Sequence, residues 1–159
     1  EKDILRFEGP LGSFFLREDS KKPIIFLAAG TGFAPIKSII EQMQSKKIHR
    51  PIELYWGGRR PSDLYLNDLC KTWEKDIPNF KYIPVISDDL PEDAWHGRTG
   101  FVHQAVIDDH PNLKDFQVYA CGAPVMVNAA RNDFSAQCHL PEEEFFADSF
   151  TSAADLATN

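Results

Sequence analysis

Residues 24–35 read IIFLAAGTGFAP, an apolar run that breaks into two glycines around a threonine and then offers a proline. A run that is apolar at every position, not every second one, belongs to a strand buried on both faces, which requires cover on each side of the sheet. The residues after it have a helical pattern. Ile36, Ile39, Ile40 and Met43 fall at i, i+3, i+4 and i+7, one face of a helix. A doubly buried strand that turns directly into an amphipathic helix through a Gly-Thr-Gly turn restricts the chain to an open α/β arrangement.

The same alternation continues downstream. IELYW at 52–56 is a second strand, and Ser62 is placed to cap a helix carrying Leu66, Leu69, Cys70 and Trp73 on one side. FKYIPVI at 80–86 is a third strand, with Pro84 pointing to an edge or a bulge. A short helix presents Val102, Ala105 and Val106. QVYAC at 117–121 is a fourth strand, and Pro124 suits the first turn of a helix that buries Val127, Ala130 and Phe134. EFFA at 144–147 is a fifth. The expected fold is therefore α/β, a Rossmann-like five-stranded parallel sheet with helices on both faces. Right-handed crossovers gather the loops that leave the strand C-termini along one rim, where ligands bind.

Four loops meet at that rim. In GTGFAP, Gly30 and Gly32 lack a Cβ, so backbone N–H groups there can approach a diphosphate; Thr31 adds a hydroxyl, and a helix starting near Pro35 directs its positive end at the same place. A tight turn that merely needs glycine accounts for the same residues. In WGGRRPSDLY, Gly57 and Gly58 allow a sharp turn, and Arg59 is either a phosphate or ribose contact or a solvated surface charge. In ISDDLPEDAWHGRTG, Ser87 is followed by Asp88 and Asp89, whose carboxylates would repel a 2′-phosphate and accept from a free ribose hydroxyl, which favours NADH over NADPH; Arg98 could weaken this by swinging back, and an acidic surface loop accounts for the same residues. In ACGAPVM, Cys121 ends a buried strand beside Gly122 and Ala123, with no base nearby to make it a nucleophile. A neutral thiol there could pack against a flat ring.

Composition narrows the function classes. A net charge of −7 over 159 residues argues against a nucleic-acid surface. The five histidines show no metal spacing, so no metal site is expected. Cys70, Cys121 and Cys138 lack a C-x-x-C pair and read as free thiols of a reducing, cytoplasmic compartment. No apolar run is long enough to span a bilayer. EKDILRFEGPLGSFFLRED reads as a strand, a Gly/Pro turn and a second short strand with few partners, so residues 1–20 are expected to end a preceding β-domain and its linker. Residues 21–150 then form the nucleotide-binding domain, and 151–159 a flexible tail.

Together these loops resemble the ferredoxin–NADP reductase superfamily, over residues Gly9 to Phe150. GPLGSF is similar to the segment closing the flavin-binding barrel. GTGFAP, Gly30 to Pro35 with Phe33 and Ala34, is similar to the pyridine-nucleotide phosphate loop. CGAP with Met126 resembles the element, here Cys121, Gly122, Ala123 and Pro124, whose cysteine lies near the transferring nicotinamide carbon. FADSF resembles the element whose acid and aromatic, here Asp148 and Phe150, lie beside the flavin. YWGGRRPSDLY and WHGRTGFV are most similar to NAD(P)H–flavin and CDP-6-deoxy-glucoseen reductases, then to oxygenase reductase components.

The resemblance implies NADH, or NADPH, as hydride donor to FAD in an upstream flavin-binding domain. It further implies electron delivery to a 2Fe-2S iron–sulfur module or another acceptor protein. The chain itself lacks the superfamily's R-x-Y-S/T flavin signature and the C-x4-C-x2-C spacing of a plant-type iron–sulfur module, and nine residues follow Phe150. Alone it is expected to be inactive. A non-catalytic nucleotide-binding regulatory module is the alternative that its two Gly-rich loops also fit.

Overall fold

Ile24, Ile25, Phe26 and Leu27 are fully buried, as their unbroken apolar run requires. They open β1 (Ile24–Ala29) of a computed structural model that describes residues 12–150. A 3-10 turn over Gly30–Gly32 leads without interruption into α1 (Phe33–Ser45), two residues earlier than Pro35 suggested. The chain continues through β2 (Ile52–Gly58), α2 (Asn67–Asp76), β3 (Phe80–Ile86), β4 (Arg98–Thr99), α3 (Val102–Asp109), β5 (Gln117–Gly122), α4 (Pro124–Cys138) and β6 (Phe145–Ser149).

All pairings are parallel, in the order β4-β3-β2-β1-β5-β6. The sheet thus has six strands, not five. The added strand, β4, is only two residues long and mostly polar, so it leaves no hydrophobic pattern to read. The α1/α2 face is closed by Phe33, Ile36, Ile40, Trp56, Cys70 and Trp73; the α3/α4 face by Val102, Val106, Val127, Ala130 and Phe134. Burial of each such large apolar side chain is worth ~1.5–3 kcal/mol.

Two local expectations change, and a third, at Pro84, is met locally. Ser62 does not cap α2; it lies inside a 3-10 turn over Pro61–Asp63, and α2 starts at Asn67. That turn is held by the Asp63 carboxylate, which accepts from the backbone N–H of Arg59 (2.9 Å) and Arg60 (3.0 Å). Pro84 occupies a local edge of the sheet, as expected, although β3 is not the outermost strand. Tyr82, Pro84 and Ile86 share the side of β3 turned away from β2, and β4 pairs only with Val85 and Ile86, so no ladder bond is lost at Pro84. Residues 12–20 form bends and turns without a strand, and Leu16 is buried in the core. The strand proposed over the opening residues, like the tail at 151–159, lies outside the described residues.

Candidate functional site

β1 is central, with β2, β3 and β4 to one side and β5 and β6 to the other, so the order reverses between β1 and β5. A crevice opens outside the strand ends at such a point. Here it is bounded by the Gly30–Gly32 turn and by Gly122–Ala123. The two loops touch closely. A Cβ on Gly32 would overlap the Cys121 carbonyl and lie 2.8 Å from the Gly122 nitrogen. Gly122 itself has φ +149°, and a Cβ there would meet Ala29 at 3.0 Å and Met126 Cε at 3.2 Å. Gly32 is therefore bare first because a strand end passes against it. Gly30, at φ +53°, faces open space.

The exposed surface of the rim is shaped by this seam. Thr31 and Ala34 are exposed; Phe33 is wholly buried and stacks on Trp56 with centroids 4.0 Å apart, so only its backbone is available to a ligand. Trp56 adds a contact with no sequence signal beyond its place before Gly57: its Nε1–H donates to the Gly30 carbonyl (3.0 Å), tying the turn to β2. The starts of α1 and α4 carry no side-chain cap, and both helices begin beside the crevice. Pro124 opens α4 and Ala123 is its extended N-cap.

Cys121 is fully buried, in register with Ala28 and Asp148. Burial, assisted by the nearby Asp148 charge, pushes its thiol up to about 12, so it stays protonated. Asp148 is exposed, and Phe150 is 38% exposed with its N–H donating to the Gly122 carbonyl (3.2 Å). The structure thus brings Cys121, Gly122, Asp148 and Phe150 together at one end of the rim.

At the other end, Gly57 packs against Val102, where a Cβ would fall 2.8 Å from the valine Cβ. Arg59 and Asp88, both exposed, face each other at 3.7 Å, and the Asp88 N–H donates to the Arg59 carbonyl (2.9 Å). Ser87 is exposed beside them, its N–H bonded to the Gly58 carbonyl (3.0 Å). Arg98 does not swing back: it points to the end of α3, where Nη1 pairs with Asp109 at 2.6 Å. Phe101, which carries no signal in the sequence, is 69% exposed at the head of α3 and stacks on His103. Among the described residues, no three metal-ligating side chains cluster, and no helix is long and apolar enough to cross a membrane.

The sequence pattern of the oxidoreductase NAD-binding domain matches residues 26–132. The chain belongs to the oxidoreductase NAD-binding domain family. It is 48% identical over 149 residues to the CDP-6-deoxy-L-threo-D-glycero-4-hexulose-3-dehydrase reductase of Yersinia pestis, covering 94% of this chain and 44% of that protein. It is 46% identical over 159 residues to Protein RfbI of Salmonella typhimurium, covering 100% and 47%. The crystal structure of Amycolatopsis cytochrome P450 reductase GcoB superposes with a TM-score of 0.80 at 31% identity, over 91% of this chain and 43% of that one. The chain spans about half the length of the curated relatives it matches. The NAD-binding domain therefore occupies most of this chain, and the ferredoxin-reductase resemblance read from GTGFAP and CGAP holds.

Proposed function

We propose that this NAD-binding domain holds NADH across the rim and presents it to a flavin, FAD, carried by a segment outside the described residues. The diphosphate lies on Gly30, Thr31, Gly32 and Ala34, the nicotinamide against Gly122, Ala123 and Pro124, and the adenosine towards Gly57, Arg59, Ser87 and Asp88. The observation that carries this reading is the seam between Gly32 and Cys121–Gly122: two loops locked together at the strand-order reversal, each leading into an uncapped helix start.

A bound nicotinamide supplies a hydride that a flavin accepts. The protein's own part is placement. Backbone N–H groups near the start of α1 offset the diphosphate charge. Met126 Cε packs close to Gly122, where a β-carbon would meet it at 3.2 Å. The protonated Cys121 thiol adds a neutral, polarisable atom below the ring position and competes for no proton. Asp148 and Phe150 flank the same place, Phe150 as a flat apolar cover. Phe101 offers an exposed ring for the adenine at the far end.

The relatives are named as reductases, which supports a downstream acceptor; we assign it to an iron–sulfur centre, a 2Fe-2S module or acceptor protein, in the same electron-transfer system. The test is an NMR titration of this chain with NADH and NADPH beside a diaphorase assay. Amide shifts concentrated at Gly30–Ala34 and Gly122–Ala123, tighter binding of NADH, and no turnover without a flavin protein are expected. Absence of any shift at millimolar nucleotide, or shifts centred elsewhere, overturns the reading.

A further inference from the structure

Arg50 is a charged residue in an unusual position: only 4% exposed, at the opposite end of the sheet from the rim. Among the described residues it has no carboxylate partner. Its guanidinium donates instead to the carbonyls of Lys22 (Nε, 2.7 Å) and Arg17 (Nη1, 3.1 Å) and to Gln117 Oε1 (Nη2, 2.8 Å). A buried cation is costly unless its donors are satisfied, and here the acceptors come from the segment entering β1 and from β5.

That segment is held at further points. The Tyr119 hydroxyl accepts from the Arg17 N–H (3.0 Å) and donates to Gln117 Oε1 (3.3 Å). Gln117 Nε2 donates to Glu144, whose other oxygen pairs with Lys22 Nζ at 2.6 Å, closing a ring of four residues that is completed through the Lys22 carbonyl. Glu18 reaches Lys46 at the end of α1 (2.6 Å).

From the clamp at the base, the segment packs on the sheet face that leads to the reaction end of the rim. The Arg17 guanidinium sits between the rings of Phe15 (3.8 Å) and Phe146 (4.2 Å), and Phe14 meets Tyr119 edge-on. Tyr119 and Phe146 are register partners, and the next residues on their face are Cys121 and Asp148. Two residues along a strand span ~6.6 Å. Residues 14–17 thus pack on the face of β5 and β6 that, two residues further along each strand, carries Cys121 and Asp148.

We propose that Arg50 is a positioning residue for hydride transfer: by clamping the Arg17 and Lys22 carbonyls to the base of the sheet, it fixes how the chain preceding residue 14 leaves this domain, and so how the flavin stands over Cys121 and Gly122. The proposal rests on the function proposed above. A lysine cannot replace Arg50, because one ammonium cannot span three acceptors set by a planar fork.

The test uses the protein with its flavin-bearing segment. Flavin reduction by NADH is followed by stopped flow for wild type, Arg50→Lys, Arg50→Ala and the milder Tyr119→Phe, which removes the two hydroxyl bonds to Arg17 and Gln117 and leaves the Arg50 guanidinium in place. The reduction rate is expected to fall by roughly 10–100-fold in both Arg50 variants and less in Tyr119→Phe, with the NADH dissociation constant unchanged. Arg50 also lines a cleft of about 470 Å³ between α1 and α2, so free guanidinium can reach the vacated site and is expected to restore part of the Arg50→Ala rate. Amide exchange at residues 17–22 accelerates in the same variants while Gly30–Ala34 stays protected. Faster exchange at 17–22 with a wild-type reduction rate overturns the positioning role. So does a lower rate that lysine restores in full, or a loss that appears only in NADH affinity. A wild-type protein whose flavin NADH does not reduce refutes the functional reading, and this proposal with it.

Discussion

Gly32 lies so close to Cys121 that a β-carbon on it would overlap the Cys121 carbonyl oxygen. The obstacle is backbone, which cannot rotate away, so Gly32→Ala must part the β1 and β5 loops. A loss of about 1–3 kcal/mol in stability is expected, together with weaker NADH binding. Gly30→Ala is the matched control: at φ +53° with open space around it, it meets only the strain of a left-handed residue, about 1–2 kcal/mol. Urea denaturation of the two variants should show an unchanged m and a lower midpoint for Gly32→Ala. Equal midpoints would mean that the close approach has no energetic weight.

Trp56→Phe keeps an aromatic ring against Phe33 and deletes the donor to the Gly30 carbonyl. The net value of one such bond is ~0.5–1.5 kcal/mol, so the stability loss should be modest. The loop should respond more. Amide exchange at Thr31 and Gly32 should rise, and NADH affinity should fall by up to about tenfold, the equivalent of the upper end of that range. A variant with faster exchange but intact affinity would show that the turn needs no fixing from β2.

The elements that were legible in the sequence are those whose burial is uniform or strictly periodic. β1 and β3 have the bounds their apolar runs suggested, and Ile36, Ile39, Ile40 and Met43 face inward together. β4 was not legible, because two residues pairing at the rim of β3 need no hydrophobic pattern. α2 starts later than Ser62 suggests, because the local side-chain acceptor is the Asp63 carboxylate and it serves the preceding backbone N–H groups, not the helix start. At the site, the glycines were visible but not their reason. That Gly32 answers to a strand ninety residues away is a tertiary fact, as is the Trp56 tether. Arg50, the buried charge at the base of the sheet, reads in sequence as one more surface cation before a proline.

Cys121 shapes the pH response of the fold. Its thiol, ordinarily at 9.0, is raised to about 12 by burial and then by Asp148. A raised thiol value means the folded state keeps its proton where the unfolded chain has lost it. The contribution is therefore fully present below about pH 9 and is lost progressively as pH rises towards 12. Cys70, raised to about 12 by burial alone, acts in the same direction. Denaturation midpoints should stay level with respect to these thiols from neutral pH to 9 and then fall, and the fall should be shallower in Cys121→Ser. Iodoacetamide at pH 8 should leave Cys121 unmodified in the native protein. Rapid native-state alkylation would show that the thiol is open to solvent.

Arg59 and Asp88 are expected to set which nucleotide the rim prefers. They stand 3.7 Å apart on the loops after β2 and β3, 81% and 52% exposed, so the guanidinium a 2′-phosphate would seek already faces a carboxylate. Arg98, the other candidate cation, is committed to Asp109. Asp88→Ala releases Arg59 and removes a negative charge from the same spot. An exposed pair is weak, so the ratio of NADPH to NADH affinity should rise by no more than about fivefold. The gain should be largest at low ionic strength, where surface charges are least screened. Arg59→Ala in the same background should abolish it. Calorimetry with both nucleotides at low and high salt measures each step. If the ratio stays constant across all three proteins, the ribose lies elsewhere on the rim and these two side chains take no part in choosing the cofactor.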